Sequence, residues 1–202
     1  MTLLFREDTH EYTYDGVPLP GVTEIVAPLG PSYDDPDVFA ETAIENAAER
    51  GTVMHAYIAH RLEGGGADDF EMPDSFRPYA DSVELFLSEH NIFPLLAETP
   101  LACPDFAGTP DLVCEFDGTA AILDYKFVRT VQKSKVGAQL AGYALLCEHN
   151  MIFPDSLAAV QFLPAGDYRL YPVNRPRAEA AFNACLEVYR LKNERHPKGS
   201  VF

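Results

Sequence analysis

Asp111, Asp124 and Lys126 are the residues whose types and spacing are best suited to chemistry. Asp111 follows Pro110, twelve residues intervene, and Asp124-Tyr125-Lys126 closes the interval. Asp117-Gly118, a strong tight-turn pair, lies midway between apolar β-prone runs, so the interval is predicted to fold as a hairpin. That sets Asp111 opposite or diagonal to Asp124. Side chains alternate along a strand, which puts Asp124 and Lys126 on one face and Tyr125 on the other. Two carboxylates and an ammonium beside Leu112, Val113, Ile122 and Leu123 are costly to bury without partners. A divalent cation resolves that cost, because Mg²⁺ takes carboxylate oxygens together with a substrate phosphate. A lysine two residues past such an aspartate is placed to orient an attacking water and to stabilise charge building on phosphorus. The competing reading is a half-exposed ion pair between Lys126 and either aspartate.

The elements that must position these groups follow from apolar periodicity. Residues 3–6 and 10–14 are predicted strands. Asp15-Gly16 is a turn signal, and Pro18, Pro20 and Gly21 close a β-rich lead-in. Thr23 with Glu24 caps a short helical turn, and 31–37 reads as loop. A long helix is expected over 38–62, ended by Gly64-Gly65-Gly66, with a break or kink at Gly51. A second helix covers 75–91, with Tyr79, Val83, Phe86 and Leu87 on one face. Strands are expected over 95–102, 109–116 and 120–127, then a helix over 135–150. Two further strands, 157–163 and 168–173, flank Gly166-Asp167, and a helix over 178–194 closes the chain. This order specifies one α/β domain with a mixed sheet.

Pro110-Asp111 with Asp124-Tyr125-Lys126 resembles the signature of the PD-(D/E)XK nuclease superfamily. The lead-in His10-Glu11-Tyr12-Thr13-Tyr14-Asp15-Gly16 with its proline-rich turn looks like that of small phage or prophage nucleases, and two more runs resemble the superfamily's RecB-like exonuclease branch. One is Gly51-Thr52-Val53-Met54-His55, on a helix before the hairpin. The other is Gln139-Leu140-Ala141-Gly142-Tyr143, on the helix after the lysine strand. Glu98, on the strand before the hairpin, matches a glutamate that often enters this family's site. The likeness spans about residues 40–165, in order.

The resemblance implies a restriction-endonuclease-like core, α-β-β-β-α-β, with a mixed central sheet flanked by helices, an N-terminal β-hairpin and a C-terminal helix. The single domain then divides into a lead-in (1–36), a nuclease core (37–173) and a basic helix and tail (174–202). The implied activity is Mg²⁺- or Mn²⁺-dependent hydrolysis of DNA, as an exonuclease of recombination, repair or phage DNA processing. His55, Glu98, Asp111, Asp124 and the Tyr125 carbonyl would surround the metal, and Lys126 would position the water. Gln139 and Tyr143, four apart on one helix face, would brace the lysine or contact the scissile phosphate. The alternative is a catalytically inactive nuclease-fold module that binds metal or a protein partner.

Charge bounds how nucleic acid would be held. The net charge is −16, which argues against a coat protein held by long-range attraction. Residues 1–124 hold 4 Lys/Arg against 25 Asp/Glu, whereas 125–202 hold 11 against 6. Arg129, Lys133 and Lys135, in and just after the segment leaving the lysine strand, are candidates to track a phosphate backbone. Arg175 and Arg177, and Arg190, Lys192, Arg195 and Lys198 in the tail, are further basic candidates. No aromatic platform or base-reading helix stands out, so little sequence specificity is expected.

Four dispersed cysteines lack the spacing of an iron–sulfur cluster and read as core thiols. No apolar run approaches a membrane span and no signal peptide is evident, so a cytoplasmic protein is expected. With no Walker loop, any helicase, recombinase or annealing protein would be a separate chain, and a homo-oligomer is left open.

Overall fold

The computed structural model describes residues 2–6, 9, 11–30 and 41–193, with backbone only for 41–47. Three short antiparallel strands come first: β1 (Leu3–Arg6), β2 (Glu11–Tyr14) and β3 (Val17–Leu19). The expected hairpin thus gains a third strand. Asp15 and Gly16 take left-handed conformations (φ 49° and 81°), the combination that a two-residue hairpin turn requires. The short helix α1 (Val22–Ile25) leads to the long α2 (Glu41–Leu62) and to α3 (Arg77–Glu89), the latter preceded by a 3₁₀ turn at Asp74–Phe76. Strands β4 (Ile92–Ala97), β5 (Leu101–Ala102), β6 (Ala107–Gly108), β7 (Leu112–Phe116) and β8 (Thr119–Lys126) follow. Helix α4 (Lys133–His149), strands β9 (Ser156–Leu163) and β10 (Asp167–Pro172) and helix α5 (Arg175–Asn193) complete the described chain.

Five strands form a mixed sheet in the order β10-β9-β8-β7-β4, with β8–β9 its one parallel pairing. Alternation along β7 and β8 divides the core between the two faces. Val113, Ile122 and Ala159 face α4 and α5, joined by Leu140, Leu146 and Phe182. Leu112, Leu123, Tyr125 and Val160 face α2 and α3, joined by Tyr57, Val83 and Phe86. The mixed α/β architecture with helices on both faces is therefore as expected. Among the described residues, no helix is long and apolar enough to cross a membrane.

Two expectations are corrected. The strand predicted over 95–102 is divided: β4 ends at Ala97, Glu98 turns left-handed (φ 46°), and Leu101–Ala102 pairs instead with Ala107–Gly108. Glu98-Thr99-Pro100 interrupts the apolar run at that corner, and proline, which lacks an N–H and has a fixed φ, ends the strand pairing there. The break predicted at Gly51 is also absent, since α2 runs through it. Burial of Met54, Tyr57 and Ile58 against the sheet outweighs the roughly 1 kcal/mol by which glycine disfavours a helix. The predicted start of the second strand at 10, the loop over 31–37, the helix start at 38–40, the helix end at 194 and the tail cations Arg195 and Lys198 lie outside the described residues.

Gly51 carries a direct prediction. A Cβ there would meet nothing within 4 Å. Gly51→Ala is expected to stabilise the protein by about 0.5–1 kcal/mol, mainly by restricting the unfolded chain. A rise in the urea midpoint at constant slope is the measurement.

Candidate active site

The β7–β8 hairpin places the two aspartates. Asp117 and Gly118 supply the two left-handed turn residues (φ 48° and 82°), and the register pairs Leu112 with Leu123. One step further on, Asp111 meets the end of β8. Its Oδ2 accepts the Tyr125 backbone N–H at 2.7 Å. Asp124 points to the α4 side and is fully buried. Gln139 Nε2 donates to Asp124 Oδ1 at 3.3 Å and to the Tyr143 hydroxyl at 3.1 Å. Lys126 Nζ, on the same face, lies 2.7 Å from Asp124 Oδ2. That ammonium–carboxylate contact gives the buried oxygen its countercharge.

The second half of the site comes from α2 and the end of β4. His55 Nδ1 is 2.8 Å from Glu98 Oε1, and its Nε2 is 3.7 Å from Asp111 Oδ2. The imidazole stands edge-on to Tyr125 and tilted against Phe127, which fixes its plane. One ligand atom from each of His55, Glu98 and Asp111 lies within 4.8 Å of the other two. The left-handed backbone at Glu98, costly for a residue with a side chain, stands where the chain leaves β4 beside His55. The Glu98 N–H donates to the Asp111 carbonyl at 3.1 Å, tying that corner to the hairpin.

Electrostatics follow from this crowding. Burial, then the charge of Asp124, pushes the Asp111 carboxyl up to about 6. Burial pulls His55 down, but the Glu98 hydrogen bond and the Asp111 charge outweigh it and leave the imidazole raised. Burial likewise opposes the Lys126 ammonium, and the two aspartates more than restore it. The two carboxylates and one imidazole of Glu98, Asp111 and His55 form an oxygen-rich donor set. That set fits Mg²⁺, and the imidazole suits Mn²⁺ as well.

The sequence-derived residues divide into those gathered at the site and those that are not. His55, Glu98, Asp111, Asp124, Lys126, Gln139 and Tyr143 converge. Gln139 and Tyr143 are both buried; Gln139 bonds Asp124 directly, and Tyr143 is linked to it through Gln139. Tyr125 engages Asp111 through its N–H. Arg129 and Lys133 are exposed beyond the lysine strand and Lys135 is half-buried near Gly30. Arg175 is not available for a phosphate: Glu179, Glu148 and the Pro154 carbonyl hold it. Arg190 is likewise engaged by Asp105 and Glu187.

Three contributors were missed. Arg50 donates twice to the Phe127 carbonyl (3.0 and 2.8 Å) just past Lys126. Tyr12 on β2 meets the Thr109 hydroxyl at 2.9 Å, beside Pro110-Asp111. Gln161 on β9 donates to the carbonyls of Val128 and Arg129 at 2.8 and 3.1 Å. Only Gln161 had a signal in the sequence, as one amide within the apolar run Leu157–Leu163.

Tyr125 supplies another test. Its phenol oxygen is buried with no hydrogen-bond partner, and an unsatisfied buried hydroxyl costs about 1–3 kcal/mol. Tyr125→Phe is expected to raise stability by about 1 kcal/mol, read as an upward shift in melting temperature.

No protein-family model matches the chain, and no curated protein does. Among solved structures, an alkaline exonuclease (LHK-Exo) from Laribacter hongkongensis is 13% identical, with a TM-score of 0.39 over 86% of this chain and 89% of that one. The same exonuclease in complex with dAMP gives 12% identity and a TM-score of 0.33, over 86% and 92%. The protein SSO0001 gives 11% identity and a TM-score of 0.37, over 89% and 78%. Overlays this slight leave the site geometry to carry the functional reading.

Proposed function

We propose that this chain is a divalent-metal-dependent deoxyribonuclease that hydrolyses DNA phosphodiester bonds, and within that class a RecB-like exonuclease of recombination, repair or phage DNA processing. The observation that carries this reading is the junction of two separate carboxylate groups at one hairpin end. Asp124 and Lys126 lie on one side, and the His55–Glu98–Asp111 cluster on the other. A buried ion pair serving stability alone would not draw in a strained glutamate and a histidine from two other elements.

Asp111, Asp124, Glu98 and His55 would hold Mg²⁺ or Mn²⁺, completed by the Tyr125 carbonyl. When bound, such an ion supplies positive charge to the scissile phosphate and eases deprotonation of a water. Lys126 aligns the attacking water and meets negative charge as it builds on the phosphate oxygens. It acts as an ammonium, since its two aspartate neighbours keep it protonated. Gln139, anchored by Tyr143, is a positioning residue that fixes the rotamer of Asp124. Arg50 and Gln161 hold the backbone beyond Lys126, so the ammonium is carried on a rigid strand end. Arg129, Lys133 and Lys135 are proposed contacts for the DNA backbone.

The test is digestion of end-labelled linear, nicked and covalently closed circular DNA with Mg²⁺, Mn²⁺ or EDTA. Metal-dependent loss of linear DNA alone supports an exonuclease. No cleavage of any substrate overturns the reading and favours a metal- or partner-binding module.

A further inference from the structure

Strand pairing extends the site sideways across the sheet. Asp124 on β8 is paired with Ala159 on β9, and Ala159 with Tyr171 on β10; the next row on that face is Lys126, Gln161 and Arg169. Strands lie about 4.8 Å apart, so Tyr171 stands about 10 Å from Asp124. A cleft of about 650 Å³ opens there, between this face and the N-terminal ends of α4 and α5. Ala159, Val136 and Val173 give it an apolar floor, and Lys133 and Arg177 stand on its rim. Its lining contains no carboxylate, in a chain with 31 Asp/Glu against 15 Lys/Arg.

The rim cations are not held by carboxylates among the described residues. Neither Lys133 nor Arg177 forms an ion pair among the described residues, whereas Arg6, Arg61, Arg77, Arg175 and Arg190 all do. Lys133 Nζ stands 4.7 Å over the Tyr171 ring. The Tyr171 hydroxyl donates to Gln161 Oε1 at 2.9 Å. Gln161, only 1% exposed, holds the Val128 and Arg129 carbonyls on the segment that leaves Lys126. One hydrogen-bonded frame therefore carries both the Lys126 strand end and the wall of the cleft.

We propose that this cleft is a nucleotide subsite for the DNA strand that passes through the reaction centre, with apolar base or sugar surface on its floor and phosphates on Lys133 and Arg177. This rests on the nuclease reading above. An apolar floor beside an aromatic ring and cations is the combination that holds single strands with little sequence preference.

The experiment is equilibrium binding of a short fluorescein-labelled single-stranded DNA to the full chain in EDTA, across a salt series. The Lys133→Ala/Arg177→Ala double variant is expected to bind about tenfold more weakly, with a log–log salt slope smaller by about 1.4. Ala181→Leu, which fills the cleft from α5 and keeps both cations, is expected to show a comparable loss of affinity. Arg190→Ala is the control and should bind as wild type. Unchanged affinity in the double variant overturns the proposal and points to another ligand, such as an acidic peptide. Loss in the double variant with wild-type binding by Ala181→Leu overturns it too, because the cations then act as a surface patch. Mg²⁺-supported cleavage by wild type is scored separately. Its absence defeats the nuclease reading, while the binding series still decides the cleft.

Discussion

Lys126→Ala is expected to reduce metal-dependent DNA cleavage by about 10²–10⁴-fold, the range lost when a group acting only on the transition state is removed. The lysine side chain is 22% exposed and Asp124 is fully buried, so the variant leaves a buried carboxylate without its countercharge and costs some stability. Asp124→Ala leaves a partly buried ammonium with Asp111 as its remaining countercharge and costs stability as well. Asp124→Asn is the better partner variant, since Gln139 can still donate to its side-chain oxygen. Both variants should still fold, read as a cooperative melt, and fail to cleave. Cleavage undiminished in either one would sink the assignment.

The second large effect is on stability, and its sign changes with the metal. Without divalent ion, Asp111 has a folded-state value of about 6 against 3.8 for the unconstrained group. The folded state therefore binds more protons than the unfolded state between about 4 and 6, and stability falls as pH rises through that window. His55 adds to the trend. Its folded value is raised above 6.5, so its favourable contribution is complete below 6.5 and is lost as pH climbs through the raised value. Mn²⁺ reverses the slope, because its ligands must be deprotonated. At pH 8 and about 100 times Kd, Mn²⁺ should add about 2.7 kcal/mol, or about 5–10 °C in melting temperature. The shift should shrink toward pH 5.5. Asp111→Asn should raise the melting temperature of the EDTA-treated protein above neutral pH and abolish the Mn²⁺ response. A melting temperature indifferent to Mn²⁺ at pH 8 would count against the metal site.

The missed residues show where sequence reasoning stops. Arg50 and Tyr12 act through partners 77 and 97 residues away, separations at which no local pattern exists to read. Gln139 was legible as part of a motif, but its partner was not. Spacing places Gln139 and Tyr143 on one helix face, while the approach of α4 to the sheet decides that this face meets Asp124. The cations behaved similarly. Arg175 and Arg177 are two residues apart in sequence, yet Arg175 is held by Glu148 and Glu179 while Arg177 lines a cleft and forms no ion pair among the described residues.

By itself the sequence determined whatever depends on short-range geometry. The Asp117-Gly118 turn and the period-two alternation around it dictate that Asp111 meets the end of β8 and that Lys126 shares a face with Asp124, because both rules act within a few residues. Tertiary structure alone decided the rest. It turned the chain left-handed at Glu98, brought His55 across from α2, and carried α2 unbroken through Gly51. It also aligned β10 with β8 through β9, and so built a cleft from residues 29 to 181 beside the reaction centre. Each of these is settled by apolar burial summed over many side chains, a quantity that becomes defined only when the two faces of the sheet are covered.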